Sequence, residues 1–206
     1  MELYTIGYGG FSGIEEFAAA LKERGINGVI DVRSRPYSKV HTDFNREFLS
    51  EYLKNKGIAY RNYKNEFGAR QLNAEYYPNG YLDFEQFSKS AEFQSGMVKV
   101  KQASENGYVL ALMCSEKEPI NCHRCIMVSR AFHDEGAAVT HIIAGKPDLT
   151  QTEAEDALID EYFPQRDQLS LFEEELTRDE LIKRAYRLQN EKIGYKLEEK
   201  GSDFYD

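Results

Sequence analysis

The chain has no apolar run approaching the roughly 20 residues that a membrane helix needs, so no membrane partner is expected. Its N-terminus, MELYTIGYGG, lacks the basic and long apolar parts of a signal peptide. Cysteine is scarce and odd in number, three in 206 residues, which argues against a disulfide framework and for a reduced, cytoplasmic protein. The glycines of GYGGFSG lack the full spacing of a dinucleotide fingerprint, so they read as a turn that lets strand meet helix. A phosphotyrosine-phosphatase loop is excluded, because Ile120 and Val128 stand where it would need an arginine, six positions after Cys114 and Cys122. Cys122 and Cys125 have CxxC spacing, but a second CxxC or paired histidines are missing and Cys125 falls in a helix body. That argues against a metal or iron–sulfur site at Cys114, Cys122 and Cys125, and no cofactor is expected.

What is present is charge, unevenly distributed. The net charge is −9, yet residues 1–150 hold 18 Lys+Arg against 19 Asp+Glu, while residues 151–206 hold 8 against 16. Within the first part, residues 31–70 carry nine basic residues against five acids, with Tyr37, Phe44, Phe48, Tyr52, Tyr60, Tyr63 and Phe67 among them. A chain this acidic does not coat DNA non-specifically, but a local basic face suits an anionic ligand.

The most informative stretch is Tyr108 to Arg124, YVLALMCSEKEPINCHR. Its apolar opening reads as a strand buried on both faces. The strand ends in Cys114, Ser115 and Glu116, the chain turns at Pro119, and Asn121 is placed to cap a helix carrying Cys122, His123 and Arg124 in its first turn. Reactive side chains thus gather where a strand hands over to a helix, and that carboxyl edge is where ligands bind in open α/β sheets.

Around this stretch the pattern predicts a three-layer α/β domain with a mostly parallel five-stranded sheet. Strands are expected at Leu3–Ile6, Gly28–Val32, Ile58–Tyr63, the central stretch and Ala138–Ile143. Helices are expected from Ser12 and Glu15 in capping-box spacing, from an Asp43 cap, and as one long element over Leu82–Ser104. Residues 64–80 read as a long irregular loop. The domain is expected to span 1–147 and an acidic helical tail 148–206, with further capping boxes at Thr152/Glu155 and Thr177/Glu180 and a helix end at Gly194.

Candidate chemistry follows from residue type. Cys114 and Cys122 could be a nucleophile with its partner or a redox pair, since a helix N-terminus, His123 and Arg124 all favour a thiolate. Glu116 could serve as nucleophile or general base, and His123 could shuttle protons. Arg33 and Arg35 leave the second strand on the same sheet edge. They either neutralise Asp31 and nearby acids or bind an anion, and Arg70 is a third anion candidate.

The segments TIGYGG, DVRSRP with Phe44-Asn45, Gly68-Ala69-Arg70 and LMCSEKEPINCHR resemble the motifs of the domain of unknown function 488 family over about residues 1–145. The resemblance implies an α/β domain with a polar site built from Arg33, Arg35, Asn45, Arg70, Cys114, Glu116, Cys122, His123 and Arg124, with no defined reaction. The family often carries a second glycine where Ala69 stands, and Cys125 is outside its pattern.

In the tail, Gln168-Leu169-Ser170-Leu171-Phe172 resembles the short peptide by which bacterial proteins dock on the replicative sliding clamp. Leu171 and Phe172 would fill a hydrophobic pocket, with Leu169 between them and the register-fixing Gln168 amide. Three readings stay open. The chain is an enzyme of DNA repair or replication acting on a nucleotide or nucleic acid, a non-catalytic binding module for the same ligands, or a small-molecule thiol enzyme.

Overall fold

The computed structural model describes residues 1–164 and 176–197, so the peptide at 168–172 lies outside the described residues. Six strands form one sheet: β1 (Glu2–Gly7), β2 (Gly28–Asp31), β3 (Ala59–Asn62), β4 (Leu110–Cys114), β5 (Ala138–Ile142) and β6 (Leu149–Thr150). Their spatial order is β3-β2-β4-β1-β5-β6, parallel except for β6, which runs against β5. The expected three-layer α/β architecture is present, with one strand more than the five expected. A two-residue strand carries no periodicity of its own. Leu149 and Thr150 become one only because His141 and Thr140 offer them an open edge.

β4 lies between β2 and β1, and all five of its residues are buried. Leu110, Leu112 and Cys114 face one apolar cluster while Ala111 and Met113 face the other, which is why the strand reads as a continuous apolar run. One face is covered by α1 (Ile14–Glu23) and α2 (Arg46–Asn55), through Phe17, Leu21, Leu49 and Leu53. The other is covered by α3 (Lys64–Phe67), α4 (Phe84–Ser88), α5 (Ala91–Glu105), α6 (Arg130–Asp134), α7 (Gln151–Tyr162) and α8 (Arg178–Ile193). Leu158, Ile159, Leu181 and Ala185 of the last two helices belong to the same buried cluster as the sheet. No helix among the described residues is long and apolar enough to cross a membrane.

Several local expectations are corrected. The long helix over Leu82–Ser104 is two helices, because Asp83 and Ser90 each accept a hydrogen bond at a helix N-terminus, from the Gln86 and Phe93 amides. On a continuous helix Phe87 and Phe93 would point about 120° apart; the break brings their rings to 5.6 Å, both fully buried. Residues 64–80, read as an irregular loop, contain α3 and a 3-10 turn at Ala74–Tyr76.

The Thr152/Glu155 box does not form, since Thr150 with Glu153 takes the cap where β6 runs directly into α7. Glu155 instead accepts from Tyr186 and Arg178. The Thr177/Glu180 box forms as expected, and Gly194 is the C-cap of α8. Ser12 pairs with Glu16 rather than Glu15, with Gly13 at the N-cap, and Asp43 gives way to Asn45 at the start of α2. Asn121 does not cap a helix either. Pro119–Asn121 make a 3-10 turn, Cys122 is extended, and regular structure resumes as a π-helical turn, Arg124–Ser129, running into α6. All six residues of that widened turn are buried.

A buried relay links the sheet to the C-terminal helices. Arg124 Nε donates to Thr5 Oγ1 (3.4 Å), and Thr5 Oγ1 meets His141 Nδ1 at 2.8 Å. His141 Nε2 lies 2.9 Å from Gln151 Oε1, Gln151 Nε2 donates to Tyr186 Oη (2.8 Å), and Tyr186 donates to Glu155 (2.9 Å). The chain of donors closes only if His141 is neutral, with its proton on Nε2. Burial, and after it the Arg124 charge, lowers the His141 pKa to about 3.

Because the folded pKa lies below the unfolded value, stability is complete above the unfolded histidine pKa of about 6.5 and is lost as pH falls from there toward 3. Urea unfolding at pH 7.5 and 4.5 should therefore show wild type losing up to about 2.5 kcal/mol more than His141→Gln. Equal losses in the two proteins would place the acid sensitivity elsewhere.

Candidate active site

Three loops meet at the carboxyl edge of the sheet, after β1, β2 and β4. The strand register puts Gly7 beside Cys114 and Asp31 beside Met113, so the residues following each strand emerge together. The glycine turn after β1 is required by this packing. A Cβ on Gly7 would lie 1.8 Å from the Glu116 carbonyl oxygen, and one on Gly9 2.6 Å from that of Ser115. The Gly9 amide donates to the Ser115 carbonyl at 2.9 Å. The glycines thus admit the loop that carries Glu116.

That loop is held from below by Arg124. Its guanidinium, fully buried, donates to the carbonyls of Glu116 (Nη1, 2.6 Å) and Lys117 (Nη2, 3.2 Å) in addition to Thr5. Arg124, expected among the anion-binding residues, lies beneath the site and does not line its cavity.

The Glu116 carboxylate accepts hydrogen bonds at Oε2 from Cys114 Sγ (2.9 Å) and Cys122 Sγ (3.0 Å), and at Oε1 from Ser115 Oγ (2.9 Å). Glu116 as a residue is open to solvent, while its thiol contacts are part-buried and both thiols are buried. His123 Nδ1 stands 3.9 Å from Cys114 Sγ and 3.8 Å from Cys122 Sγ. Its Nε2 lies 3.0 Å from the Val32 carbonyl. That oxygen can only accept, so the proton sits on Nε2 and the Nδ1 side faces the sulfurs.

Burial opposes ionisation of Glu116, but the two thiol donors outweigh it and bring its pKa down to about 2. Burial also opposes ionisation of Cys114, yet the Cys122 hydrogen bond and the adjacent His123 pull its pKa down to about 6. Cys122 moves the other way, raised by burial and by its bond to Cys114. For His123 the Cys114 charge outweighs burial, and its pKa rises. Of the two thiols it is Cys114, at the strand end beside His123, that is lowered, while Cys122, whose sulfur accepts from the Arg124 amide at the start of the helical segment, is raised. Cys125 takes no part. Burial pushes its pKa up to about 12, and its sulfur lies against His141 and Gln151 instead.

A cavity of ≈ 270 Å³ opens above the cluster. Glu116, Cys122 and His123 line it together with Arg33, Arg35 and Arg70. Arg33 is buried and its guanidinium is bidentate on Asp31 (2.9 and 2.6 Å), whose carboxylate also accepts from Tyr60 at 2.5 Å. The Nη1 of Arg33 is buried without a partner among the described residues. Arg35 and Arg70 are exposed and make no ion pair among the described residues. Arg70 stacks over the Tyr195 ring (4.5 Å), and its amide donates to Ser34 Oγ, tying the two arginine loops together. Asn45 lies away from the cavity, where its Oδ1 accepts from the Ser38 amide.

Ser34, Ile193 and Tyr195 also line the cavity and were not anticipated. The last two arrive through long-range pairing, the Leu82 amide donating to the Tyr195 carbonyl at 2.8 Å. No local pattern marks them.

Residues 13–131 match the family described as Domain of unknown function DUF488. The chain belongs to this family. The matched segment is more than half of the sequence and contains every cavity residue contributed by the β2 and β4 loops, while Ile193 and Tyr195 lie beyond it. Neither the curated proteins nor the solved structures hold a match to the chain.

Replacing Arg124 with Met should cost about 2–6 kcal/mol in chemical denaturation, since it strands the two loop carbonyls at about 1–3 kcal/mol each. A cost under about 1 kcal/mol would mean that the guanidinium is not what holds the loop.

Proposed function

We propose that this DUF488-family chain is an enzyme of DNA metabolism that takes a phosphate-bearing nucleotide or strand end into the arginine-lined cavity. The reacting group comes from the Cys114, Glu116, Cys122 and His123 cluster, of which Glu116, Cys122 and His123 line the cavity. One observation carries the reading: a single cavity has three arginines on its walls and a carboxylate, a thiol and an imidazole at its base. Arginine presents a planar fork of donors matched to phosphate oxygens. Arg35 and Arg70 have that fork available, whereas Arg33 is committed to Asp31 on one edge and keeps only Nη1 to offer.

At ≈ 270 Å³ the space falls just below the range of about 300–1,000 Å³ usual for pockets that enclose a ligand. It suits one nucleotide or a strand terminus rather than a duplex. Tyr195, already under the Arg70 guanidinium, is an aromatic face within reach of a base. The peptide at 168–172 recruits the chain to the sliding clamp, with Gln168, Leu169, Leu171 and Phe172 as its contacts. The protein works in the cytoplasm.

Fluorescence anisotropy with a 5′-phosphorylated single-stranded oligonucleotide tests the binding half. Arg35→Ala combined with Arg70→Ala should weaken affinity at least about tenfold and flatten its salt dependence by about one to two units of slope. Identical binding by the double variant and wild type would overturn the site assignment. Glu116→Gln should bind the oligonucleotide as wild type does yet fail to convert it, and retained conversion would remove Glu116 from the reaction. Recruitment is checked separately with purified bacterial clamp. The triple change Gln168→Ala, Leu171→Ala and Phe172→Ala should abolish binding, and undiminished binding would sink the docking role.

A further inference from the structure

We infer that Cys114, Cys122 and His123 bind a zinc-class divalent cation whose fourth position faces the cavity beside Glu116. The inference concerns the floor of the same cavity and stands whether or not the substrate is a nucleotide.

The donor set is assembled by the fold. Cys114 Sγ, Cys122 Sγ and a ring nitrogen of His123 all lie within 4.8 Å of one another, and all three residues are buried. The two sulfur-to-Nδ1 distances are 3.9 and 3.8 Å. Ligands held tetrahedrally at zinc, with Zn–S about 2.3 Å and Zn–N about 2.0–2.1 Å, sit about 3.5–3.8 Å apart. Both sulfur-to-nitrogen distances therefore lie within a few tenths of an ångström of that spacing.

Independent features point the same way. His123 gives its Nε2 proton to the Val32 carbonyl, the outer-shell bond that fixes the tautomer and turns Nδ1 toward a metal. The Arg124 amide points at Cys122 Sγ (3.5 Å), a contact that stabilises a ligating thiolate. Two sulfurs and an imidazole suit zinc better than the hard cations, which prefer oxygen.

Three protein ligands with an open position is the arrangement of a catalytic rather than a structural zinc site. The carboxylate that would complete the shell, or act from just outside it, is Glu116, within 3.0 Å of both sulfurs. The sequence offered Cys114, Cys122 and Cys125 as donors and argued against a metal because a second CxxC or paired histidines are missing. The folded set keeps Cys114 and Cys122, leaves Cys125 out and has His123 as its third ligand.

The test uses the full chain, stripped with a chelator under reducing conditions and titrated with cobalt(II) and then zinc(II). One equivalent of cobalt should produce tetrahedral d–d bands and thiolate-to-cobalt charge transfer, and zinc should bleach both. Cys114→Ser, Cys122→Ser and His123→Gln should each weaken zinc by about 100-fold or more, beyond the 10–100-fold typical of outer-shell changes. Cys125→Ser should leave affinity within a factor of three, on the order of a 0.7 kcal/mol change. Circular dichroism identifies any variant that has failed to fold, and the wild-type spectrum decides independently of the variants. The inference is overturned by folded, reduced wild type that shows no thiolate-to-cobalt band. It is equally overturned if Cys125→Ser weakens zinc as much as Cys114→Ser does.

Discussion

A guanidinium with no access to water is expensive unless its donors are engaged, and Arg124 engages them on the carbonyls of Glu116 and Lys117 and on Thr5 Oγ1. The consequence is positional. The loop after β4 is pulled down onto the glycine turn after β1, so close that Gly7 and Gly9 have no room for a side chain. With its backbone pinned there, Glu116 has its carboxylate delivered between the two thiols. The thiol–carboxylate cluster is a product of this one buried cation and the two glycines opposite it.

The same residue connects the site to the far side of the molecule. From Arg124 the hydrogen bonds run through Thr5, His141, Gln151 and Tyr186 to Glu155, so that α7 and α8 are joined to the sheet by polar as well as apolar contact. Each group in the relay is both positioned and satisfied by the next, which leaves little freedom for tautomers or rotamers. Charges near the cavity divide along the same line. Arg33 is locked against Asp31 inside the wall, while Arg35 and Arg70 stand at the mouth with donors to spare.

Much of this was legible from residue order. The apolar run of β4 announced a strand buried on both faces, and the arrival of Cys114 and Glu116 at its end announced a polar carboxyl edge. Arginine clustering after β2 pointed to the same edge. Legibility ended where two local signals competed or where none existed. Thr150 and Thr152 have equivalent partners three residues on, and only the placement of β6 selects the first. The break between α4 and α5 rests on Ser90 capping a new helix so that Phe87 and Phe93 meet, a contact no period of 3.6 foretells.

By itself the sequence determined the layer architecture and which polar groups stand at the end of β4, because hydrophobic period and side-chain chemistry are properties of neighbours in the chain. Tertiary structure alone decided what each group does. Arg33 and Arg124 were interchangeable candidates until burial committed one to Asp31 and the other to backbone carbonyls. Cys125 has CxxC spacing to Cys122, yet it is Cys114 that the sheet edge sets beside Glu116, while the π-helical turn carries Cys125 toward His141. Ile193 and Tyr195 reached the cavity wall only when the chain beyond α8 paired with Leu82. These outcomes depend on contacts between residues tens of positions apart, and local pattern carries no record of such distances.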